Sequence, residues 1–330
     1  MYRIKDIRHI HLEISSLCNA RCPLCPRNFH GYPYNDGYEE RNLTLQDVRK
    51  IFRSDFLAHI DRVDINGNFG DMVMNPETID IVRHFRQHAI DVCISTNGGA
   101  RNKKFWQELA VTGASVMFCL DGLSDTHSLY RQDTVFETVL NNAKTFMAKG
   151  GHAIWKMIKF DHNRHQIDEC RQLSKQLGFA RFELIDDGRN TGVAVNKKGE
   201  VVHVLGNPQK INFKELLESK KNDTVLSEDI PLTKKNISCE VKKSKSMYVT
   251  STGEIYPCCY TGFYPRTYGH GQYYQVVNKQ LNDIIKPNNA LERPLEECME
   301  WFDSIEKSWT IDEFEKGRLV VCNDYCGQER

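Results

Sequence analysis

Short apolar segments alternate with amphipathic ones along the first two-thirds of the chain. Six segments are rich in Val, Ile or Phe, as is typical of buried strands. They span residues 9–15, 62–66, 91–96, 115–120, 153–160 and 181–185. Between them apolar positions recur at the helical period, over residues 44–58, 76–87, 102–111, 134–149 and 165–177. Thr44 is a candidate N-cap, and Gly113, Gly150 and Gly178 follow predicted helix ends.

This alternation predicts an α/β fold with a mostly parallel sheet, because crossover helices join parallel strands. If this sheet curls, the six strand–helix units make a partial (β/α)6 TIM-like barrel, and the active site is expected at the carboxyl ends of the strands. The alternation of predicted strands and helices ends near Asp186. A charged linker over residues 220–235 precedes a smaller Cys-rich α+β unit, with a hairpin near 247–256 and a helix over 291–305. We therefore predict two domains, a barrel core over residues 1–220 and an extension with its linker over 221–330.

Composition narrows the class of protein. Lys plus Arg and Asp plus Glu number 44 each, so the formal charge is zero, which argues against a nucleic-acid partner. No apolar run approaches the roughly 20 residues of a membrane span, and the first residues lack the apolar segment of a secretory signal. We therefore predict a cytoplasmic protein. In a reducing compartment its 12 cysteines are better metal ligands than disulfides.

Three cysteines lie directly after the first predicted strand. Cys18, Cys22 and Cys25 have the spacing C-x3-C-x2-C. Three thiolates hold three irons of a cubane cluster and leave one iron open, whereas a ferredoxin-type cluster takes four cysteines. Zinc or unrelated thiols are the alternatives, although zinc normally adds a fourth protein ligand unless the site is catalytic.

Further motifs follow the carboxyl ends of the next predicted strands. They read N-G-N-F-G-D over residues 66–71, S-T-N-G over 95–98, C-L-D-G over 119–122 and Y-R at 130–131. With the cysteine loop, this order resembles the radical SAM superfamily, in which S-adenosylmethionine (SAM) chelates the open iron of a [4Fe-4S] cluster. The resemblance implies a set of SAM-binding residues, Gly70, Asp71, Thr96, Asn97, Asp121 and Arg131. Arg131 matches an arginine that binds the SAM carboxylate, while Asp71 stands where the family usually has Glu.

A second group of cysteines occupies the last third of the chain. The spacing C-x13-G-x4-C from Cys239 to Cys258 resembles the opening of SPASM and twitch domains, which hold auxiliary iron–sulfur clusters. With Cys322 and Cys326, four thiolates are available, the usual number for one [4Fe-4S] cluster. The resemblance thus implies one auxiliary cluster on these four residues, with structural zinc as the alternative. Cys298 is predicted to be buried in a helix, and Cys259 either follows its neighbour into the core or replaces a ligand.

The resemblance also implies a reaction. A reductase such as flavodoxin or ferredoxin supplies one electron, SAM is cleaved, and the resulting 5′-deoxyadenosyl radical takes a hydrogen atom from the substrate. Asp187 or Glu183 is a candidate base for a proton released on oxidation, and Cys119 a candidate hydrogen donor. Lys156 lies on the fifth predicted strand, where alternation directs some side chains into the barrel. Ordinary structural roles remain the alternative for each of these residues.

The expected substrate is a small molecule such as a sugar, amino sugar or nucleoside, with possible oxidation through the auxiliary cluster. The barrel begins within the first ten residues, which leaves no room for the N-terminal leader-binding module of many peptide-modifying relatives. A peptide substrate is the alternative. A non-catalytic iron–sulfur electron carrier is the alternative from a different class, but carriers usually complete every iron with protein ligands.

Overall fold

Strands and helices alternate through a barrel and continue into the C-terminal residues. The computed structural model describes residues 1–33, 38–186, 192–206, 233–266 and 272–328. The strands are β1 (His9–Leu12), β2 (Asn28–Phe29), β3 (Tyr32–Pro33), β4 (Arg62–Ile65), β5 (Asp91–Thr96), β6 (Ser115–Cys119), β7 (His152–Ile158), β8 (Arg181–Ile185), β9 (Gly192–Val195), β10 (Val201–Leu205), β11 (Asn236–Ile237), β12 (Ser246–Val249), β13 (Ile255–Tyr256) and β14 (Gly327–Gln328).

The helices follow the same order along the chain. They are α1 (Leu45–Ile51), α2 (Ser54–Leu57), α3 (Thr78–Gln87), α4 (Lys103–Ala110), α5 (His127–Tyr130), α6 (Phe136–Met147), α7 (Ile167–Gln176), α8 (Glu240–Ser244), α9 (Cys259–Phe263), α10 (Gln272–Asn282), α11 (Leu295–Cys298), α12 (Phe302–Ser308) and α13 (Val320–Cys326). Short 3-10 turns cover Ile4–Asp6, Met72–Met74, Arg164–Gln166 and Tyr264–Arg266. In the described part of the chain, no helix is long and apolar enough to span a bilayer.

One sheet of eight strands organises the molecule, in the order β13-β12-β1-β4-β5-β6-β7-β8. All neighbours are parallel except β13, which pairs antiparallel with β12. Alternate residues such as Ile10, Leu12 and Val63 are fully buried in the hydrophobic core. Polar residues between them, His9 and Asp64 among them, line a cavity on the opposite face. This period-two pattern places one face of the sheet on the core and the other on the lumen of the barrel.

The predicted partial barrel is confirmed, and the differences concern where elements break. The six predicted strands are present, and Thr44 caps α1 by accepting a hydrogen bond from the Asp47 N–H at 3.0 Å. The single helix predicted over 44–58 is wrong, because Phe52 and Arg53 adopt extended backbone angles between α1 and α2. The helix predicted over 291–305 is likewise replaced by α11 and α12. The predictions for residues 207–232, including the boundary at 220/221, lie outside the described residues.

The predicted hairpin near 247–256 is present, and it extends the barrel sheet. Strand β12 pairs with β1 in register His9↔Ser246, although some 230 residues separate the two strands. The Tyr2 hydroxyl donates to the Ser246 carbonyl, and the Met1 ammonium pairs with Glu306 at 2.9 Å. The N-terminal residues and the C-terminal third are therefore packed together, and their apolar side chains share one core.

A buried ion pair ties the C-terminal third to β1. Glu13 is fully buried, and its carboxylate meets the Arg266 guanidinium at 2.8 Å. The same carboxylate accepts from the Phe69 N–H at 3.0 Å, the Tyr248 hydroxyl at 3.1 Å and the Ser251 hydroxyl at 3.1 Å. Burial by itself raises the pKa of Glu13, but Arg266 and the N–H donors lower it below its usual value. The carboxylate therefore stays charged, because a counter-ion and several hydrogen-bond donors surround it.

Breaking this ion pair is expected to destabilise the fold strongly. Glu13→Gln or Arg266→Met should each lower the free energy of unfolding by about 3–5 kcal/mol, because each leaves a buried charge without its partner. The double variant should lose less than the sum of the two single losses. Denaturant unfolding of the anaerobically loaded protein, followed by circular dichroism, measures this. Asp80→Asn, at an exposed ion pair on α3, is the control and should change stability by less than ~0.5 kcal/mol. Additive losses would contradict the coupling.

Candidate functional site

The cysteine loop after β1 forms one wall of a cavity at the carboxyl ends of the parallel strands. The cavity has a volume of about 310 Å³. Its lining includes the three loop cysteines and five of the six predicted SAM-binding residues, Cys18, Cys22, Cys25, Gly70, Asp71, Thr96, Asn97 and Arg131. Asp121 lies behind this wall, fully buried. Residues from four separate strand ends therefore meet at one place, as expected for a barrel of this kind.

The loop thiols carry the donor set that a three-cysteine cluster requires. Cys18 Sγ is approached by the Ala20 N–H at 3.4 Å and by the Asn97 side-chain amide at 3.5 Å. Cys22 Sγ lies 3.8 Å from Arg131 Nη1. Burial raises the pKa of both thiols, that of Cys22 to about 12, so metal binding must displace their protons. Three thiols with nearby N–H donors fit an iron–sulfur cluster, whose sulfurs accept such hydrogen bonds.

Asp71 holds the turn after β5 in place. Its carboxylate accepts from the Thr96 hydroxyl at 2.7 Å, the Asn97 N–H at 2.6 Å and the Val73 N–H at 3.1 Å. Burial raises the pKa of Asp71, and these donors oppose that rise. Because Asn97 in turn donates to Cys18 and to Asn19 Oδ1 at 3.0 Å, Asp71 positions the cysteine loop through Asn97.

Gly70 is a glycine because two backbone segments touch there. A Cβ at this position would lie 1.9 Å from the Ser15 carbonyl oxygen, which no side chain tolerates. The next residue, Asp71, donates its N–H to the Leu17 carbonyl at 2.9 Å. The glycine-rich segment thus packs directly on the backbone that leads into the cysteine loop.

Asp121 and Arg131 form a buried ion pair beside Cys22. Arg131 Nε donates to Asp121 Oδ2 at 2.6 Å, and Asp121 Oδ1 accepts from the Ile158 N–H at 2.6 Å. Burial alone lowers the pKa of Arg131, but Asp121 and Cys22 raise it well above its usual value, so the guanidinium stays charged. Asp121 is therefore a positioning residue, and Arg131 presents a fixed positive charge to the cavity.

A second cavity fills the barrel lumen and reaches the C-terminal cysteines. Its volume is about 480 Å³. Six cysteines line it: Cys93 on β5 and, from the C-terminal third, Cys239, Cys258, Cys259, Cys322 and Cys326. Cys298 is not among them; it is fully buried in the apolar core, in agreement with its predicted role.

The C-terminal thiols have the composition that a four-iron cluster needs. Cys239 and Cys326 hydrogen bond to each other, which lowers the pKa of Cys239 to about 7. Cys258 Sγ accepts from the Thr261 N–H at 3.5 Å at the start of α9. Across the described ranges, no three His, Cys, Asp or Glu side chains converge on a single metal ion. The thiols instead stand around the cavity, and a cubane cluster binds each thiolate on a different iron.

Three residues line both cavities: Asn66, Ser95 and Lys156. The lumen beyond them carries polar side chains that the sequence-based prediction did not assign. His9 Nε2 lies 2.8 Å from Asp64 Oδ2, and His11 Nε2 lies 2.6 Å from the Asn66 carbonyl. The sequence does indicate that these polar side chains share one face of the sheet, because the segments H-I-H-L and R-V-D-I alternate polar and apolar positions.

The predicted catalytic residues have different surroundings. Cys119 is nearly buried on the wall of the smaller cavity, with its sulfur 3.6 Å from the Ser95 hydroxyl. Glu183 lines neither cavity, because its carboxylate pairs with Arg181 Nε at 2.5 Å on the same strand. Asp187 lies outside the described residues. Of the two that the structure describes, only Cys119 lines the cavity.

Part of the chain matches a known protein family. Residues 12–170 match the family described as the radical SAM superfamily. The superfamily uses a [4Fe-4S] cluster and SAM. The match and the enzymes among the relatives below indicate that the chain is an enzyme.

Solved structures share the fold over most of the chain. SuiB of Streptococcus suis bound to S-adenosylmethionine superposes on 97% of this chain and 73% of its own, with a TM-score of 0.59 and 15% identity. The protein anSMEcpe with bound AdoMet covers 89% of this chain and 77% of its own, with a TM-score of 0.54 and 16% identity. At identities this low, the superpositions show a common fold alone.

Curated relatives match only part of their own length. The tungsten-containing aldehyde ferredoxin oxidoreductase cofactor-modifying protein of Pyrococcus furiosus is 25% identical over 112 residues, which is 34% of this chain and 30% of that protein. A probable GTP 3′,8-cyclase of Methanocaldococcus jannaschii is 25% identical over 145 residues, 42% of this chain and 45% of that protein. The chain thus spans less than half of either relative.

Arg131→Lys is expected to weaken SAM binding. Lysine keeps the charge, but it cannot hold Asp121 and also offer a carboxylate two parallel hydrogen bonds. A lost charge-assisted contact of about 1.5–3 kcal/mol raises the dissociation constant roughly ten- to a hundredfold. Calorimetric titration of SAM into the reconstituted protein measures it. Arg164→Lys, at an exposed pair with Asp161, is the control. Equal affinities of parent and variant would return Arg131 to a purely structural ion pair.

Proposed function

We propose that the chain is a radical SAM enzyme that cleaves SAM reductively and abstracts a hydrogen atom from a small molecule held in the barrel lumen. The observation that carries the proposal is the pair of adjoining cavities. One is lined by the cysteine loop and the other by the C-terminal cysteines, and both are bounded by Asn66, Ser95 and Lys156. A substrate between them would lie within reach of both.

At the first cavity, Cys18, Cys22 and Cys25 would hold the SAM-binding cluster, and Arg131 would bind the carboxylate of SAM. The bound cluster and SAM supply one-electron cleavage and hydrogen abstraction. The chain's own residues orient these groups: Asp121 fixes Arg131, and Asp71 fixes the Thr96–Asn97 turn. Buried walls keep water from the reacting atoms, which matters because a reactive centre must meet only the intended C–H bond.

At the second cavity, Cys239, Cys258, Cys322 and Cys326 would hold an auxiliary [4Fe-4S] cluster in a twitch-like extension over residues 221–330. The cluster would accept an electron from the substrate or bind it. The Asn68 side-chain amide donates to the backbone carbonyl of the spare cysteine Cys259 at 2.8 Å, so the loop after β4 supports the backbone beside Cys258. A reductase such as flavodoxin or ferredoxin would supply electrons.

A small-molecule substrate is favoured by the size of the lumen. About 480 Å³ suits a sugar, amino sugar or nucleoside. A peptide is the second candidate, because two proteins of similar fold have been solved with peptides, SuiB with the precursor peptide SuiA and anSMEcpe with the Cp18Cys peptide. A peptide would place one side chain, rather than a whole molecule, in the lumen.

Anaerobic reconstitution should load about eight irons per chain, two cubanes of four. The triple variant Cys18→Ala, Cys22→Ala, Cys25→Ala should retain about four irons and make no 5′-deoxyadenosine from SAM with dithionite. Iron analysis and chromatography of the reaction products measure both. The Cys298→Ala variant is the matched control, because Cys298 lines neither cavity. Continued formation of 5′-deoxyadenosine by the triple variant would refute the assignment of the first cluster.

Cys239→Ala and Cys326→Ala should each remove the auxiliary cluster, because each removes one of four thiolate ligands. Iron content should fall to about four per chain, while reductive cleavage of SAM continues. Iron and zinc are measured together in anaerobically purified protein. One zinc per chain with about four irons in the parent would instead make this site a structural zinc site.

A further inference from the structure

The junction between the two cavities carries a positive charge that no side chain of the described residues neutralises. Lys156 lies on β7 and lines both cavities. Its ammonium makes no hydrogen bond or ion pair with any residue of the described ranges. Asn66 and Ser95, whose side chains are polar, line the same junction. Three hydrogen-bond donor groups of this kind can surround one anion.

The acidic groups around Lys156 are already engaged. Glu183, its register partner on β8, pairs with Arg181. Asp121, on the chain that follows the neighbouring strand β6, pairs with Arg131.

The carboxylate of Asp64, which lines the lumen, is also paired. Asp64 is held between His9 Nε2 at 2.8 Å and Arg62 Nε at 2.6 Å. Asp71, on the wall of the smaller cavity, is held by three neutral hydrogen-bond donors. Every described acid near the junction is therefore already engaged, and Lys156 has no counter-ion among the described residues. A partly enclosed charge without a partner is costly unless a ligand supplies the opposite charge.

We propose that Lys156 binds an anionic group of the substrate, a phosphate or a carboxylate, and so selects acidic small molecules. This inference rests on the proposed function, since it assumes that the substrate occupies the lumen. With Asn66 and Ser95 it forms a subsite that holds the anion at the junction, so that the rest of the molecule extends along the lumen. Anchoring one end in this way fixes which C–H bond faces the SAM cavity.

The test compares matched neutral and anionic probes on the reconstituted, SAM-loaded protein. Glucose, glucose 6-phosphate and glucuronate separate phosphate from carboxylate, and guanosine and its 5′-monophosphate give a nucleoside pair. Calorimetry should show that at least one anionic probe binds the parent about ten- to a hundredfold more tightly than its neutral partner. Lys156→Met should abolish this preference and Lys156→Arg should keep it. Lys159→Met is the control, because Lys159 pairs with Asp186 and lines neither cavity.

Two kinds of result would overturn the inference. One is a parent that binds no anionic probe more tightly than its neutral partner, or a Lys156→Met variant that keeps the preference. The other is a Lys156→Met variant that binds SAM itself more weakly, which would assign the ammonium to the carboxylate of SAM. Reductive SAM cleavage by the parent is assayed in the same samples. Its absence would count against the proposed function, whereas its presence without anion selectivity would count against Lys156 alone.

Discussion

The buried carboxylate of Glu13 is the constraint on which the arrangement of this molecule depends. A charged group that is buried away from water must be surrounded by hydrogen-bond donors and a counter-ion. The donors and the counter-ion of Glu13 come from three distant parts of the chain. Phe69 comes from the loop after β4, Tyr248 from the C-terminal hairpin and Arg266 from the turn beyond it. Those segments must therefore assemble around β1 together, which fixes the C-terminal cysteines relative to the barrel.

The loop over residues 66–71 connects the surroundings of Glu13 to both cavities. Asn66 lies at their junction, and the Asn68 amide holds the Cys259 carbonyl. Phe69 stacks between Tyr38 and Phe263, with ring centroids 5.1 and 5.8 Å away. Gly70 and Asp71 then meet the backbone before the cysteine loop and the turn after β5. One short segment thus contacts the supports of both cysteine groups, and neither group can shift without disturbing it.

The barrel and the two cysteine groups were predictable because their signals are local. Strand periodicity, the spacing of Cys18, Cys22 and Cys25, and the motifs at strand ends can each be read within a few residues. Contacts that join distant segments leave no such signal: nothing in the local sequence around Glu13 indicates Arg266, and nothing pairs β1 with β12. The roles of Asp71 and Asp121 as supports of Asn97 and Arg131 likewise emerge only from distances.

We propose that two clusters serve one substrate from two adjoining cavities. Anomalous diffraction at the iron edge, from anaerobically grown crystals with SAM, tests it most directly. The account predicts two four-iron centres per chain, one held by Cys18, Cys22 and Cys25 with SAM on its open iron, and one held by Cys239, Cys258, Cys322 and Cys326. A single iron centre, a zinc ion among the C-terminal cysteines, or a first cluster with four protein ligands would contradict it.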